Sequence, residues 1–247
     1  MRRTLCLLMV AAATALAQSR TVSFVSCPVV RDTRTAPCWL AEYQGVLYFL
    51  GVQGGVAQDF YPPQLNHEVL VEGVLAEGVT ADGPRVCGGI PLQPVKTSVM
   101  LELNRACNTI LPVEDGIEPP ARGRGPALNS WARSAAPGDS TLFFEFDNDF
   151  LSLHATRALQ RIAEYFQQAK AKQLEVTAYR GSSKLSNGSL MVEKPGIAAE
   201  RAAKVSDILK GLGLPAAALD VRVRNEERTP DGSSDAWSRK VTLLVKP

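Results

Sequence analysis

The 247-residue sequence predicts an α+β protein with a small all-β domain followed by a βαβαββ domain. Three observations support this fold class. Short β-type runs fill the first half, a stretch rich in proline and glycine follows, and two strongly periodic helices alternate with strands in the second half. We place the first domain at 18–113, a linker at 114–139 and the second domain at 140–247.

The first 17 residues have the composition of an export signal. Two arginines precede an apolar run from Leu5 to Leu16, which ends in the small-residue cleavage pattern Ala15-Leu16-Ala17. No cysteine directly follows this site, so no lipid anchor is expected. No later segment has the roughly 20 apolar residues of a transmembrane helix. We therefore expect cleavage before Gln18 and a location in the periplasm or cell envelope.

The overall composition is that of a globular protein without a strong charge bias. Hydrophobic residues make up 45% and charged residues 21% of the chain, the formal net charge is +2 and the pI is about 8.3. A protein that binds nucleic acid or an anionic membrane surface through electrostatics has a clear basic excess. Neither kind of partner is predicted here.

Four cysteines remain after removal of the signal: Cys27, Cys38, Cys87 and Cys107. An even number in an oxidising compartment predicts disulfide bonds. Three pairings are possible, and we favour Cys27 with Cys38 and Cys87 with Cys107 because each closes a short loop. A zinc site formed by all four thiolates is the alternative, but the usual Cys-x-x-Cys pair is absent.

The first domain contains several β-type runs separated by turn signals. Two aromatic and β-branched stretches meet at Gln44-Gly45, which predicts a hairpin. Further strands are expected on either side of it, and the predicted ranges are Val22–Val25, Trp39–Leu50, His67–Leu75 and Thr97–Leu103. This arrangement resembles small OB-like barrels. Such barrels often bind oligosaccharides or nucleic acid, but the fold alone does not assign a ligand.

The segment 114–139 has no periodic apolar pattern and includes the run from Glu118 to Pro126, which is rich in proline, glycine and arginine. Such a composition is typical of a flexible linker. We expect it to let the two domains move independently.

The second domain alternates strands and helices. Strands are predicted at Thr141–Asp147, Leu174–Tyr179, Asp220–Arg224 and Lys240–Val245, and helices at Leu153–Lys172 and Gly196–Leu212. The first helix places apolar residues on one face, which are Ala155, Ala158, Leu159, Ile162, Ala163 and Phe166. This order predicts a mixed sheet with helices on one face.

The region Ser140–Lys246 resembles the OmpA-like peptidoglycan-binding domain family. Five segments carry the resemblance in the family's order: Phe144–Asp147, Val176–Tyr179, Ile197–Val205, Gly213–Leu219 and Ser238–Val241. The resemblance implies a non-covalent association with peptidoglycan in the cell envelope.

In that family, an aspartate after the second strand and an arginine of the second helix bind the zwitterionic diaminopimelate residue of the stem peptide. Arg201 occupies the arginine position, and a guanidinium binds a carboxylate through two parallel hydrogen bonds. The aspartate position falls on Gly181, or on Arg180 if the register shifts by one residue. Neither carries a carboxylate, so Glu193 in the following loop is the candidate for the missing charge.

Other interpretations of these residues stay open. An arginine on an apolar helix face often lays its stem on the core and keeps its head in water. Arg180 and Arg201 could also form a site for a purely anionic ligand. If the ligand site has been lost, the chain is an envelope protein-interaction module that keeps the OmpA-like fold and binds a protein partner.

No enzyme, cofactor or metal site is predicted. The two histidines, His67 and His154, lie in no nucleophile motif, and the chain has no phosphate loop, dinucleotide fingerprint or zinc-protease motif. Asp147-Asn148-Asp149 lacks the remaining ligands of a calcium loop. We interpret it as a turn or as the cap of the first helix.

Overall fold

A computed structural model describes residues 21–31, 37–52, 65–75, 87, 90–99, 106–109, 132–134, 136–225, 228–233 and 235–246. The expected signal peptide and most of the expected linker lie outside these residues. Within the described part of the chain, no helix is long and apolar enough to cross a membrane.

The first half is a single six-stranded sheet. Its strands are β1 (Thr21–Ser26), β2 (Pro28–Arg31), β3 (Cys38–Tyr43), β4 (Val46–Val52), β5 (Val69–Leu75) and β6 (Ile90–Val99). They are ordered β1-β5-β6-β4-β3-β2, and the β4–β6 pair is parallel while the other pairs are antiparallel. The predicted hairpin is present, because Gln44 and Gly45 both have positive φ between β3 and β4.

The closed OB-like barrel expected from the sequence is not confirmed. The described strands form an open order with β1 and β2 at its two ends, and these two strands do not pair with each other. These two strands follow one another along the chain with only Cys27 between them, which leaves no room for the turn that an antiparallel pair needs. The first of them pairs with β5 and the second with β3.

The favoured disulfide pairing was wrong, although all four cysteines do form disulfides. Cys27 is bonded to Cys107 and Cys38 to Cys87. The register of β2 and β3 excludes the short loop, because Cys38 lies opposite Arg31 and Cys27 precedes Pro28 at the other end of the ladder. About four residues of extended strand, roughly 13 Å, therefore separate Cys27 from Cys38.

The second half contains a five-stranded mixed sheet and two helices. The elements are β7 (Ala132–Arg133), β8 (Asp139–Phe143), α1 (Leu153–Gln168), β9 (Gln173–Arg180), β10 (Ser182–Lys184), β11 (Leu190–Val192), α2 (Ile197–Gly211), β12 (Leu219–Asn225) and β13 (Lys240–Lys246). The sheet order is β12-β9-β13-β8-β7. The predicted βαβαββ order is present, with β7 added inside the expected linker and β10–β11 inside the expected loop.

Both helices pack on one face of this sheet. Ser152 caps α1 by accepting a hydrogen bond from the Ala155 backbone N–H at 3.2 Å, and the six apolar residues predicted for this helix are all buried. Val241 of β13 lies opposite Leu142 and Ala178, and these residues share one core with the buried faces of α1 and α2. The helix cap is thus Ser152, and Asp147 lies instead in the turn after β8.

The two halves are packed against each other through the small hairpin β10–β11. Leu185 of the hairpin shares an apolar cluster with Leu70 of the first half and Phe146 of the second. Arg239 and Glu72 form a buried ion pair across the same boundary. The expectation of independently moving domains therefore does not match this structure, because linker composition reports nothing about the surfaces that the linker connects.

Candidate functional site

Arg201 lies in the second turn of α2 and is completely buried, with 0% of its surface exposed. Helix α2 packs on β9 and β12, and the Arg201 side chain reaches the segment that follows β8. The guanidinium carbon lies 4.9 Å from the centre of the Phe144 ring, a favourable cation–π distance. The interpretation of Arg201 as an arginine with a solvated head is therefore not what the structure shows.

All five N–H groups of the Arg201 guanidinium have partners inside the chain. Three partners are backbone carbonyls, those of Asn148 at 2.9 Å, Tyr179 at 3.2 Å and Glu145 at 2.9 Å. The other two are the carboxylate oxygens of Glu193, at 2.8 Å from Nη1 and 2.5 Å from Nη2. This is the bidentate arrangement in which arginine binds a carboxylate.

The Glu193 carboxylate is also fully buried and accepts two further hydrogen bonds from the backbone. The Asp147 N–H donates to Oε1 at 3.0 Å and the Gly181 N–H donates to Oε2 at 2.8 Å. Four N–H donors thus converge on one carboxylate. Such a set satisfies the acceptor capacity of the carboxylate without any solvent.

Two outer contacts hold this segment in place. Arg180 donates from Nε to the Glu193 carbonyl at 2.5 Å. The Asp147 side chain accepts a hydrogen bond from the Lys194 N–H at 2.6 Å. Asp147 therefore contacts this segment twice: its N–H donates to the Glu193 carboxylate, and its own carboxylate accepts from the N–H of the next residue, Lys194.

Gly181 occupies a position that accepts no larger residue. A Cβ added to Gly181 would lie 2.4 Å from Ser238 Oγ and 2.8 Å from Arg239 Cγ. The close packing of Ser238 and Arg239 thus leaves no room at Gly181 for a side chain such as that of aspartate. Any side chain here would have to displace Ser238 and Arg239.

A second buried ion pair lies next to the first. Arg239 Nη1 donates to Glu72 Oε1 at 3.2 Å and to Ser183 Oγ at 2.7 Å, and Ser183 donates to Glu72 Oε1 at 2.7 Å. Arg239 Nη2 donates to the other Glu72 oxygen. Burial alone lowers the pKa of Arg239, but attraction to Glu72 and to the more distant Glu193 and Asp235 outweighs it, and the pKa is raised above its ordinary value.

The four residues predicted for the ligand site are brought together by the fold. Arg201 and Gly181 bind the Glu193 carboxylate, and Arg180 binds its carbonyl. Glu193 is thus enclosed by the other three. Sequence reasoning missed Asp147 and the three carbonyls around Arg201, because backbone donors and acceptors leave no residue-type signal.

No other cluster in the described residues suggests chemistry. His67 lies beside β5 with its Nδ1 at 2.7 Å from the Leu65 carbonyl, and His154 lies in the first turn of α1. Within the described part of the chain, no group of three or more His, Cys, Asp or Glu residues is placed to hold a metal ion.

Comparison with known proteins gives matches among solved structures only. No family model and no curated protein sequence matches the chain. The OmpA-like domain of FopA1 from Francisella tularensis is 17% identical, with a TM-score of 0.34, and the match covers 49% of this chain and 88% of that one.

Two other solved structures match to a similar degree. The peptidoglycan-associated lipoprotein from Burkholderia pseudomallei is 19% identical (TM-score 0.35, 43% and 89% covered). The cell wall anchor of the T6SS from Pseudomonas aeruginosa is 20% identical (TM-score 0.34, 43% and 79% covered). OmpA-like domains are thus among the similar structures, as the sequence resemblance predicts. Likeness at this level does not indicate what this chain binds.

Proposed function

We propose that this chain is a cell-envelope protein that associates non-covalently with peptidoglycan through a carboxylate site centred on Arg201. One observation carries the proposal: the bidentate guanidinium and two backbone N–H groups already bind a carboxylate, that of Glu193. A stem-peptide carboxylate in the same position would receive the same four hydrogen bonds. The site would then open by exchange of Glu193 for the ligand.

Diaminopimelate also carries an ammonium group, which needs an anionic partner. Gly181 offers none, but the half-buried Asp147 carboxylate lies beside the site. We assign the ammonium contact to Asp147. In this proposal Asp147 takes the role that the aspartate after the second strand has in the OmpA-like family.

A location in the envelope is supported by the cysteines. Disulfides persist in oxidising compartments such as the periplasm, and the four described cysteines form two of them. The expected export signal in residues 1–17 agrees with this location.

Sedimentation of the full chain with insoluble peptidoglycan sacculi at low salt tests the proposal. We expect the wild-type protein to sediment and to be released by free diaminopimelate. The same concentration of 1,5-diaminopentane should not release it, because this compound carries the two ammonium groups of diaminopimelate but no carboxylate. Replacement of Glu193 by Ala should strengthen binding by removing the internal competitor, while Glu200→Ala on the exposed part of α2 serves as the matched control.

A second candidate function is a protein-interaction module in which Glu193 occupies the Arg201 site permanently. The complete saturation and burial of Arg201 favour it. If neither the wild-type nor the Glu193→Ala chain sediments with sacculi while both remain folded by circular dichroism, peptidoglycan association is contradicted. In that case the Arg201–Glu193 pair serves stability alone.

A further inference from the structure

The hairpin β10–β11 contacts both halves of the molecule and belongs to neither of the two large sheets. Towards the first half, two hydrogen bonds join Ser186 to Ser23. The Ser186 N–H donates to the Ser23 carbonyl at 2.6 Å, and the Ser23 N–H donates to Ser186 Oγ at 2.9 Å. Leu185 is buried against Leu70, and Ser183 donates to Glu72. The first half therefore holds this hairpin through polar and apolar contacts together.

The same hairpin carries the residues of the Arg201 site at its base. Gly181 directly precedes β10 and Glu193 directly follows β11, and Ser182 pairs with Val192 between them. The Gly181 N–H binds the Glu193 carboxylate, and the Gly181 backbone lies against Arg239, the partner of Glu72. The two buried ion pairs thus meet at the base of the hairpin.

A two-stranded hairpin is only marginally stable in water unless something packs against it. Here the first half of the chain packs on Leu185 and supplies Glu72, while the second half adds Phe146 to the same apolar cluster and Asp235 as the acceptor for the Lys184 N–H at 2.8 Å. If the first half moved away, Leu185 would be exposed, and Arg239 and Ser183 would lose their buried acceptor. The contacts that bind Glu193 itself all come from the second half, so the first half acts on Glu193 through the position of the hairpin and of Arg239, which lies against Gly181.

We infer that the hairpin is a latch: docking of the first half on β10–β11 holds Glu193 in the Arg201 site, and separation of the halves opens that site to a free carboxylate. The identity of the free carboxylate rests on the proposed function, whereas the latch does not. It couples the position of the first half to the availability of Arg201.

The latch is tested by amide hydrogen exchange, measured by NMR, at the two backbone donors of the site, Gly181 and Asp147. Leu185→Ala and Glu72→Gln weaken docking by different chemistry, and neither residue touches Arg201 or Glu193. We expect exchange at both donors to accelerate about tenfold or more in each variant, because the local opening that exposes them becomes cheaper. Leu190→Ala is the matched control, since Leu190 lies on the same hairpin but is 56% exposed.

The Ile162 amide in α1 gives the reference for global unfolding. Acceleration at Gly181 and Asp147 that does not exceed acceleration at Ile162, or equal acceleration in Leu190→Ala, overturns the latch. In the docking variants, added acetate should shift the Gly181 amide resonance, and the wild type should respond at least about tenfold more weakly. Because this readout contains no peptidoglycan, failure of the sacculus experiment leaves it unaffected, and failure of the latch leaves wall binding untouched.

Discussion

Arg201 and Glu193 show how a single residue position can be anticipated while its environment is not. The order of the motifs identified Arg201, and the chemistry of the family made Glu193 the candidate for the missing charge. Neither observation predicted that the two side chains would be fully buried against each other. That burial depends on three carbonyls and two N–H groups contributed by the turn after β8 and the end of β9, which no residue type encodes.

We predict that Glu193→Gln lowers the free energy of unfolding by about 3–5 kcal/mol, because it leaves the buried Arg201 charge without its counter-charge. The control is Glu200→Gln. Glu200 is paired with Lys194 at 3.1 Å but 49% exposed, so we expect a loss of about 1 kcal/mol or less. Urea unfolding of both variants measures the difference. Equal losses would contradict the view that the Glu193 pair is the buried centre of the site.

At the scale of elements, periodicity was informative wherever a helix or strand buries one face. The six residues predicted for the buried face of α1 are buried, and the hairpin at Gln44-Gly45 is present. The hairpin β10–β11 was missed because its strands have three residues each, too short for an alternating pattern, and because it packs on residues distant in the sequence, Leu70 and Phe146 among them. The sheet register that decided the disulfide pairing is likewise a long-range property.

The disulfide connectivity can be checked directly, because cleavage after Arg31, Arg34, Arg85 and Arg105 puts the four cysteines on separate tryptic peptides. We expect non-reducing peptide mapping to recover Cys27 with Cys107 and Cys38 with Cys87. These bonds close loops with separations of 80 and 49 residues, so in the chain-entropy estimate each stabilises the fold by about 4 kcal/mol. A peptide joining Cys27 to Cys38 would contradict the register of β2 and β3.

At the scale of the whole molecule, the composition of the linker predicted independent domains, whereas the contacts between the two halves show that they are docked. The proline and glycine content of 114–126 predicts a flexible linker, and these residues lie outside the described part of the chain, but the described halves on either side share the Glu72–Arg239 pair and the cluster around Leu185. An acid on β5 and an arginine before β13 show no relation in the sequence, because 167 positions separate them. Only the folded chain reveals that each is the other's counter-charge.

We therefore predict that the two halves tumble as one body. Backbone ¹⁵N relaxation should give the same rotational correlation time for amides of α1 and of β5. Arg239→Met leaves Glu72 buried without its cation, which should cost about 3–5 kcal/mol and allow the correlation times to diverge. Lys240→Met, which removes a half-buried lysine one residue further along the chain, is the control and should preserve a single value. Different correlation times in the wild type would refute the docked arrangement.

The Glu72–Arg239 pair also sets an order for biosynthesis. A chain is synthesised from its N-terminus, so the acid of β5 is made long before the arginine that neutralises it. Until Arg239 has been made, the Glu72 carboxylate on the surface of the first half has no counter-charge from Arg239 and stays hydrated. Water therefore leaves this boundary only when Arg239 pairs with Glu72. In a chain truncated before position 239, we expect the boundary to stay hydrated and the two halves to stay apart.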